Sequence, residues 1–364
     1  MVIESNTIAN SVESGIALRG PFARNNLVVG NTIEHNGRSG VLILKGANSN
    51  LIGGTTAAAR NVISGNTSFG IEINTPIDDA PFVATSRNTI QGNFIGTDAA
   101  GTKPDPNGIG ISIRGGANNL IGGTDKGAGN VISANVNDGV DILEATSKGN
   151  VLQGNFIGTT ADGGAALGNG RDGVAISVDA RANVIGARAS EPIGARGNVI
   201  AFNGGNGVSV GDTGAGLGLG SVGNTIRGNG IFGNALLGID LGHNGATLND
   251  PMDPDGSPNN FQNFPEMLSA IGDGTNITFR GTLNSNPNQK FVIDVYGTAA
   301  ADPTGHGEGK VYLGSVTVLT NAVGLANFTF TAPELVAPGW AISATATRVS
   351  TGDTSEFSKI VLLT

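Results

Sequence analysis

A short alternation of polar and apolar positions recurs eight times along the first two thirds of the chain. Each copy has Asn-x-Ile/Leu, in most copies a second Asn five residues after the first, and then Gly-Ile/Val-x-Ile/Val/Leu. The elements are three to five residues long, β-branched and alternating, so they predict short strands rather than helices. The first Asn of each copy is Asn6, Asn31, Asn61, Asn88, Asn130, Asn150, Asn198 and Asn224, and the Gly is Gly15, Gly40, Gly70, Gly110, Gly139, Gly173, Gly207 and Gly238.

A third short strand fits between these copies, because Asn-Leu/Val-Ile/Val occurs again at Asn26, Asn50, Asn119 and Asn183. Three strands per turn and a fixed repeat predict a parallel β-helix of about eight turns. The recurrent Asn residues are expected to form a hydrogen-bonded ladder at one corner. The apolar residue of each first element is expected to lie in one interior stack: Ile8, Ile33, Ile63, Ile90, Ile132, Leu152, Ile200 and Ile226.

Two copies of the repeat carry longer insertions that resemble each other, at Thr97–Asn107 and Thr159–Arg171. Insertions at equivalent corners of a solenoid lie on one flank, and that flank is the expected contact surface. Phe94 and Phe156 precede the two insertions and are expected to stack inside the helix. The candidate binding residues on the flank are Asp98, Lys103, Asp105, Asp162, Arg171 and Asp172.

The repeat gives way to a different pattern in the last third of the chain. We assign residues 1–248 to the β-helix, 249–265 to a linker rich in Asp, Asn and Pro, and 266–364 to a small antiparallel β-sandwich that caps the last turn. Longer alternating segments predict the sandwich strands: Ile277–Leu283, Lys290–Tyr296, Lys310–Leu319, Ala326–Ala332, Ala341–Val349 and Ser355–Leu363.

Composition narrows the classes of partner. The net charge of -9 argues against nucleic acid and anionic membrane surfaces. The sequence has no apolar run long enough to insert into a membrane, and without cysteine it has neither disulfides nor thiol chemistry. Because the chain begins within a repeat, we expect it to belong to a longer protein and to associate end to end by strand addition.

The Asn-x-Ile-x-x-Asn and Gly-Ile/Val-x-Ile turns resemble the right-handed parallel β-helix repeats of the pectin-lyase-like superfamily. Phe156-Ile-Gly-Thr and Asn259-Asn-Phe-Gln-Asn-Phe-Pro are similar to stretches of bacterial secreted and cell-surface β-helix proteins, in which an Ig-like module follows the helix. The resemblance implies a right-handed parallel β-helix followed by a sandwich, and an extracellular or cell-surface location. It implies no activity, because this fold carries enzymes, adhesins and stalks.

Two sets of residues are candidates for catalysis on this fold. Polysaccharide hydrolysis needs two carboxylates, and Asp78-Asp79 is the one adjacent Asp pair. Lyases that have this fold use an Arg or Lys as the base, beside carboxylates that bind calcium. Arg171 and Asp172 are adjacent in sequence and are the candidates for such a pair. The wider set of candidates is Arg114, Lys148 and Arg171 with Asp141, Asp172 and Asp179.

The linker offers oxygen ligands at short spacing. Asp250, Asp253, Asp255 and Asn259 on a Gly/Pro-bent segment suit calcium, which takes six to eight oxygens. The alternative is a linker rich in Asx turns. His35, His243 and His306 lie far apart in sequence, so no zinc site is expected.

These observations favour a non-catalytic structural or adhesive rod, with a polysaccharide or another surface protein as partner. The alternative is a polysaccharide-active enzyme, either a lyase or a glycoside hydrolase. An enzyme requires a convergent carboxylate cluster on one face, and a sugar binder commonly has Trp or Tyr platforms. Trp340, Tyr296 and Tyr312 all lie outside the repeats.

Overall fold

The computed structural model describes residues 1–76, 83–211, 220–333 and 335–364. The repeats form three parallel sheets of eight strands each, in which every strand pairs with its equivalent in the next turn. Sheet A contains β1 (Val2–Glu4), β4 (Leu27–Val29), β7 (Leu51–Gly53), β10 (Thr89–Gln91), β13 (Leu120–Gly122), β16 (Val151–Gln153), β19 (Val184–Gly186) and β22 (Thr225–Arg227). Sheet B contains β2 (Thr7–Ala9), β5 (Thr32–Glu34), β8 (Val62–Ser64), β11 (Phe94–Ile95), β14 (Val131–Ile132), β17 (Phe156–Ile157), β20 (Val199–Ala201) and β23 (Gly230–Phe232). Sheet C contains β3 (Ile16–Arg19), β6 (Ser39–Leu44), β9 (Phe69–Asn74), β12 (Ile109–Arg114), β15 (Val140–Leu143), β18 (Val174–Ser177), β21 (Val208–Val210) and β24 (Ile239–Leu241).

The chain is all-β, and its first two thirds form the predicted parallel β-helix. Short 3-10 turns occur at Ala57–Ala59, Gly194–Arg196 and Asn259–Phe261. Among the described residues, no helix has the length and apolarity needed to cross a membrane.

The apolar residues predicted to be interior line the core, but the prediction that they form one stack is wrong. Ile33, Ile63, Ile132 and Ile200 are in sheet B with the half-buried Ile8. Ile90, Leu152 and Ile226 are in sheet A instead, each paired in register with a sheet A neighbour. Asn-x-Ile begins a strand in both sheets, so the second Asn of the fourth, sixth and eighth copies begins its own sheet B strand.

Asparagine ladders run along all three corners of the helix, whereas the sequence predicted one. In each ladder the Asn Nδ2 donates to the Oδ1 of the Asn one turn further on, at 2.8–3.1 Å. The second Nδ2 hydrogen reaches a backbone carbonyl, as Asn130 does with Ile90 at 2.9 Å. The ladder before sheet B contains Asn6, Asn31, Asn61, Asn93, Asn130, Asn155, Asn198 and Asn229. The ladder before sheet C contains Asn36, Asn66, Asn107, Asn135, Asn169, Asn203 and Asn234. The ladder before sheet A contains Asn26, Asn50, Asn88, Asn119, Asn150, Asn183 and Asn224.

The ladders also explain the Gly that begins each sheet C element. A Cβ atom at Gly110 would lie 2.5 Å from the carbonyl oxygen of Gly139 and 2.9 Å from the Nδ2 atom of Asn135. The ladder amide and the next turn thus occupy the space that any side chain would need.

The last third of the chain folds into two antiparallel sheets that form a sandwich. One has the order β25-β26-β29 and the other the order β28-β27-β30-β31. Their core contains Phe279, Phe291 and Ile293, all fully buried. The strands are β25 (Glu266–Gly272), β26 (Asn276–Asn284), β27 (Lys290–Thr298), β28 (Val311–Leu319), β29 (Leu325–Pro333), β30 (Ala341–Arg348) and β31 (Val361–Leu362). The first of these was not predicted, and the predicted segment Ser355–Leu363 holds only a two-residue strand.

The sandwich covers the last turn of the β-helix, as predicted, and supplies partners to its free N–H groups. Asn259 of the linker adds a further member to the ladder before sheet A, because its Oδ1 accepts from the Asn224 N–H at 3.0 Å. At the end of the ladder before sheet C, Glu308 accepts from the N–H groups of Gly233 and Asn234 at 2.6 and 3.2 Å.

Two further contacts complete the cap. Arg227 of the last turn forms two hydrogen bonds with Asp294, at 2.6 and 2.8 Å, and both side chains are almost fully buried. Glu356 accepts from the N–H groups of Leu241 and Thr247 at 3.0 and 2.9 Å. Removing either member of a buried ion pair leaves an uncompensated charge, so the helix and the sandwich are strongly coupled here.

The ladder predicts a large loss of stability when one member is removed. Asn130→Ala removes the acceptor of the Asn93 N–H and of one Asn93 Nδ2 hydrogen, while the other hydrogen stays bonded to the Ile52 carbonyl, and it removes the side-chain donor to the Ile90 carbonyl. We expect the free energy of unfolding to fall by about 3 kcal/mol, since each unsatisfied buried group costs about 1–3 kcal/mol. Chemical denaturation measures it, with the exposed strand residue Asn327→Ala as the control. Equal small effects of the two substitutions would contradict a stabilising ladder.

The cap predicts a dependence of stability on pH. Burial raises the pKa of Glu356 to about 8, and the neighbouring Asp240 adds to this. A carboxyl whose pKa is higher in the folded state binds protons preferentially when folded, so its contribution to stability is lost as pH rises from about 5 to 8. We expect the melting temperature to decrease over this range and the decrease to be smaller in Glu356→Gln. Exposed Glu266→Gln is the control, and an unaltered slope in Glu356→Gln would refute the assignment.

Candidate functional site

The two insertions form hairpins that touch, as the sequence predicted. Thr97 bridges to Pro104 in the first hairpin and Thr159 to Ala166 in the second. The Ala161 N–H donates to the Gly101 carbonyl oxygen at 3.0 Å and joins them. We call the surface formed by residues 97–107 and 159–168 the hairpin flank.

Phe94 and Phe156 lie outside the core beneath these hairpins, so the prediction that they stack inside is wrong. The neighbouring Ile95 and Ile157 point inward, and alternation therefore turns each Phe outward. Gly101 and Gly163 cover the two rings so closely that a Cβ atom would lie within 3.0 Å of them. Arg60 lies over the Phe94 ring, with its Cζ 4.0 Å from the centroid.

The acidic residues of the flank hold their own turns together. Asp98 Oδ1 accepts from the N–H groups of Thr102 and Lys103, and the bond from Thr102 is the main cause that lowers the pKa of Asp98. Asp162 accepts from the Thr160 hydroxyl at 2.6 Å, which lowers its pKa in the same way. Asp105 lies 3.7 Å from His35 Nε2. The flank is therefore a preformed polar surface with no convergent site.

Arg171 and Asp172 do not belong to the flank tips, and Asp172 lies in a buried column before sheet C. Asp138 Oδ1 accepts from the Asp172 N–H at 3.0 Å, and Asp172 Oδ1 accepts from the Asn206 N–H at 2.7 Å. Asn206 Oδ1 in turn accepts from the Leu237 N–H at 3.0 Å. The three side chains form a series of backbone contacts as an Asn ladder does, but in the opposite direction, because each Oδ1 accepts from the N–H of the next turn instead of the preceding one. Two of the three side chains are carboxylates. We call them the Asp column.

A half-buried carboxyl group lies beside this column on the outer face of sheet C. Asp141 pairs in register with Ser112 and Ala175, so its side chain faces outward. Burial raises its pKa to about 7, and Asp138 raises it further while Arg114 and Arg171 oppose the shift. Arg114 also lies 3.6 Å from Glu144.

The structure thus gathers part of the predicted catalytic set. Arg114, Arg171, Asp141 and Asp172 share one face. Lys148 and Asp179 lie elsewhere: Lys148 bridges to Arg181, and Asp179 accepts from the Gly220 N–H at 2.7 Å. Asp78 and Asp79 lie outside the described residues.

Asp138 was missed by the sequence reasoning, although a signal for it was present. It precedes Gly139 just as Asp172 precedes Gly173 and Asn206 precedes Gly207, so the three occupy one repeat position. His243 was considered only as a zinc ligand. Its Nε2 lies 3.9 Å from Asp172 Oδ2, a contact that depends on where the chain turns after the last strand.

The linker brings three of the four proposed calcium ligands together. Asp250, Asp253 and Asp255 each offer a carboxylate oxygen within 4.8 Å of the others. Burial raises the pKa of Asp253 to about 7, and Asp255 and Asp250 raise it further. The Oδ1 atom of Asp250 is shielded from solvent and has no hydrogen-bond partner among the described residues.

Asn259 is not available to this cluster. Its Oδ1 accepts from the Asn224 N–H, and its Nδ2 donates to the carbonyl oxygens of Asn224 and Thr354 at 2.7 and 3.1 Å. As the last member of a ladder, Asn259 thus uses both its Oδ1 and its Nδ2 in hydrogen bonds within the protein.

Comparison of the chain with protein-family models and with curated proteins finds no match in either set. The functional argument therefore depends on the geometry of these three surfaces.

Proposed function

We propose that the chain is a structural and adhesive rod of an extracellular or cell-surface protein. The observation that carries this proposal is the continuity of the three Asn ladders, which run from the first or second turn to the last and two of which end on residues of the linker and sandwich. Each turn is held to the next by side-chain bonds as well as by the sheets, as a spacer under tension requires. Membership of the pectin-lyase-like superfamily and an Ig-like sandwich belong to the same proposal, supported by the repeat pattern and the two antiparallel sheets.

The hairpin flank is the proposed adhesive surface. Of its acidic tips, Asp162 is exposed and Asp98 is half-buried, and their turns are fixed by internal hydrogen bonds. Such a surface makes several weak polar contacts with a polysaccharide or another surface protein without ordering loops on binding. End-to-end association stays a prediction.

A polysaccharide-active enzyme is the second candidate, favoured by the carboxyl groups around the Asp column. General acid catalysis needs a carboxyl group that stays protonated near neutral pH, and a pKa of about 7 suits Asp141 to that role. The hydrogen bonds of the column weigh against it. Both Asp172 oxygens are occupied, by the Asn206 N–H at 2.7 Å and the Ser209 hydroxyl at 2.6 Å. Both oxygens of the second carboxylate thus already accept hydrogen bonds within the protein, and we favour the rod.

A turnover assay separates the two functions. We expect neutral and acidic polysaccharides incubated with the protein to yield neither new reducing ends nor unsaturated products. Retention of the protein on the same polysaccharides is measured in parallel, and we expect Lys103→Ala on the flank to weaken it several-fold. Asp141→Asn is expected to change neither result. Turnover of a polysaccharide by the wild-type protein, lost in Asp141→Asn while the melting temperature stays unchanged, would contradict the structural function. It would support the polysaccharide-active enzyme instead.

We also propose that the linker binds calcium through Asp250, Asp253 and Asp255. Three oxygens within 4.8 Å of one another lie at most about 2.8 Å from a common point, which is close to the calcium–oxygen distance of about 2.3–2.6 Å. The ion would supply a partner for the buried Asp250 Oδ1. It would also offset the burial, and with it the weaker mutual repulsion, that raise the pKa of Asp253 and Asp255. Asp253 also accepts from Ser285 of the sandwich and Asn263 of the linker, so the ion would brace the linker against the sandwich.

Calcium is expected to raise the melting temperature, because a ligand that binds only the folded state stabilises it. The effect should be larger at pH 8 than at pH 6, since the raised pKa values make protons compete with the ion. Asp255→Asn, which is exposed, should abolish the response, whereas the exposed and distant Asp125→Asn should retain it. An identical melting temperature in millimolar calcium and in chelator at pH 8 would contradict the calcium site. The segment would then be a linker rich in Asx turns that binds no ion.

A further inference from the structure

A cavity of about 400 Å³ lies where the end of the β-helix meets the sandwich. Its lining includes Asn206, Leu236 and Leu237 from the last turns, Asp240 and His243 from the end of the helix, and His306 from the sandwich. It is distinct from the hairpin flank and the linker. Its volume lies in the range of small-molecule sites.

A buried amide without a partner marks this cavity. Asn206 is fully buried, and its Oδ1 accepts from the Leu237 N–H at 3.0 Å. Its Nδ2 has no hydrogen-bond partner among the described residues. In the Asn ladders this atom donates to the Asn of the next turn, but at Asn206 the Oδ1 makes the contact with the next turn, where the equivalent residue Leu237 has no side-chain acceptor. Such a donor is destabilising unless a ligand or water accepts from it.

The other polar groups of the cavity complement this donor. His306 Nδ1 lies 3.2 Å from the Phe357 carbonyl oxygen, so in the neutral ring Nδ1 donates and Nε2 stays an acceptor. The His243 side chain is 30% exposed and lies 3.9 Å from Asp172 Oδ2. Leu236 is 50% exposed and forms an apolar wall. Donors, acceptors and an apolar wall therefore face one volume.

We infer that this cavity binds a neutral saccharide unit. Sugar hydroxyl groups both donate and accept, which suits Asn206 and the two imidazoles, while the C–H face of a sugar ring suits Leu236. An anionic sugar is excluded because the carboxylates of Asp172 and Asp240 are buried close to the cavity, and like charges repel strongly at low dielectric. The inference is independent of the hairpin flank and of turnover, so its test and the test of the rod fail separately.

Saturation-transfer NMR with the full chain tests this site, using cellobiose and N,N′-diacetylchitobiose as neutral probes and digalacturonate as the anionic probe. We expect at least one neutral disaccharide to bind at millimolar concentration and digalacturonate not to bind. His243→Asn should weaken binding by about tenfold through the lost imidazole contacts. His243 has a φ of 54°, a conformation that Asn tolerates, so the fold should be retained.

Two further variants and a matched control complete the experiment. Asn206→Asp keeps the acceptor for the Leu237 N–H but removes the free donor, and Leu236→Ser removes the apolar wall without touching the core; both should weaken binding by a similar factor. The control is Arg87→Asn, which places the same new residue at a similar φ of 56° on an exposed position in an earlier turn. No signal from either neutral probe, stronger binding of digalacturonate, or equal affinity in His243→Asn and Arg87→Asn would each overturn the inference.

Discussion

The constraint on which the whole structure depends is that every corner of the β-helix must provide partners for backbone groups that are buried at each turn. Sheets satisfy the strands, but the N–H groups at the corners point along the axis and are shielded from water. An Asn side chain solves this because it carries an acceptor and two donors. The Oδ1 accepts from the N–H and Nδ2 of the preceding turn, and the Nδ2 reaches both the next Asn and a carbonyl. Repetition of one residue type therefore follows from repetition of one hydrogen-bonding problem.

The same constraint determines how the helix ends. The last turn has corner N–H groups but no further turn to accept from them, and the linker and sandwich take its place with Asn259, Glu308 and Glu356. A carboxylate serves here because a terminal acceptor needs no donor of its own. Burial of these acids raises their pKa values, so the junction is more sensitive to pH than the ladders it terminates.

Most features of the fold that depend on residues close in sequence were predicted correctly, and several features that depend on contacts between distant residues were not. The strands and the repeat Gly residues depend on neighbours in sequence, and they were found. The assignment of Ile90, Leu152 and Ile226 to the wrong sheet arose because Asn-x-Ile starts strands in two sheets, and only pairing between turns distinguishes them. Strand β25 was missed because the irregularity between Met267 and Ser269 breaks its alternation.

The sites were predicted less well for the same reason. Asp250, Asp253 and Asp255 are close in sequence and were found together, whereas His243 meets Asp172 only through the path of the chain after the last strand. Asn259 was assigned to calcium on its position in sequence, although it lies in register with Asn224 across the end of the helix.

The departures from the ladder are the most informative positions in the molecule. At the position before the sheet C Gly, Asp138 and Asp172 place two carboxylates in succession, and the Nδ2 of the buried Asn206 has no hydrogen-bond partner among the described residues. Stacked carboxylates repel each other, and an orphaned donor destabilises the fold, so neither feature is explained by the stability of the rod. Asn206 lines the cavity at the capped end, and Asp172 lies 3.9 Å from His243 of the same lining. The physical argument that accounts for the ladders thus also identifies the part of the helix that stability alone does not account for.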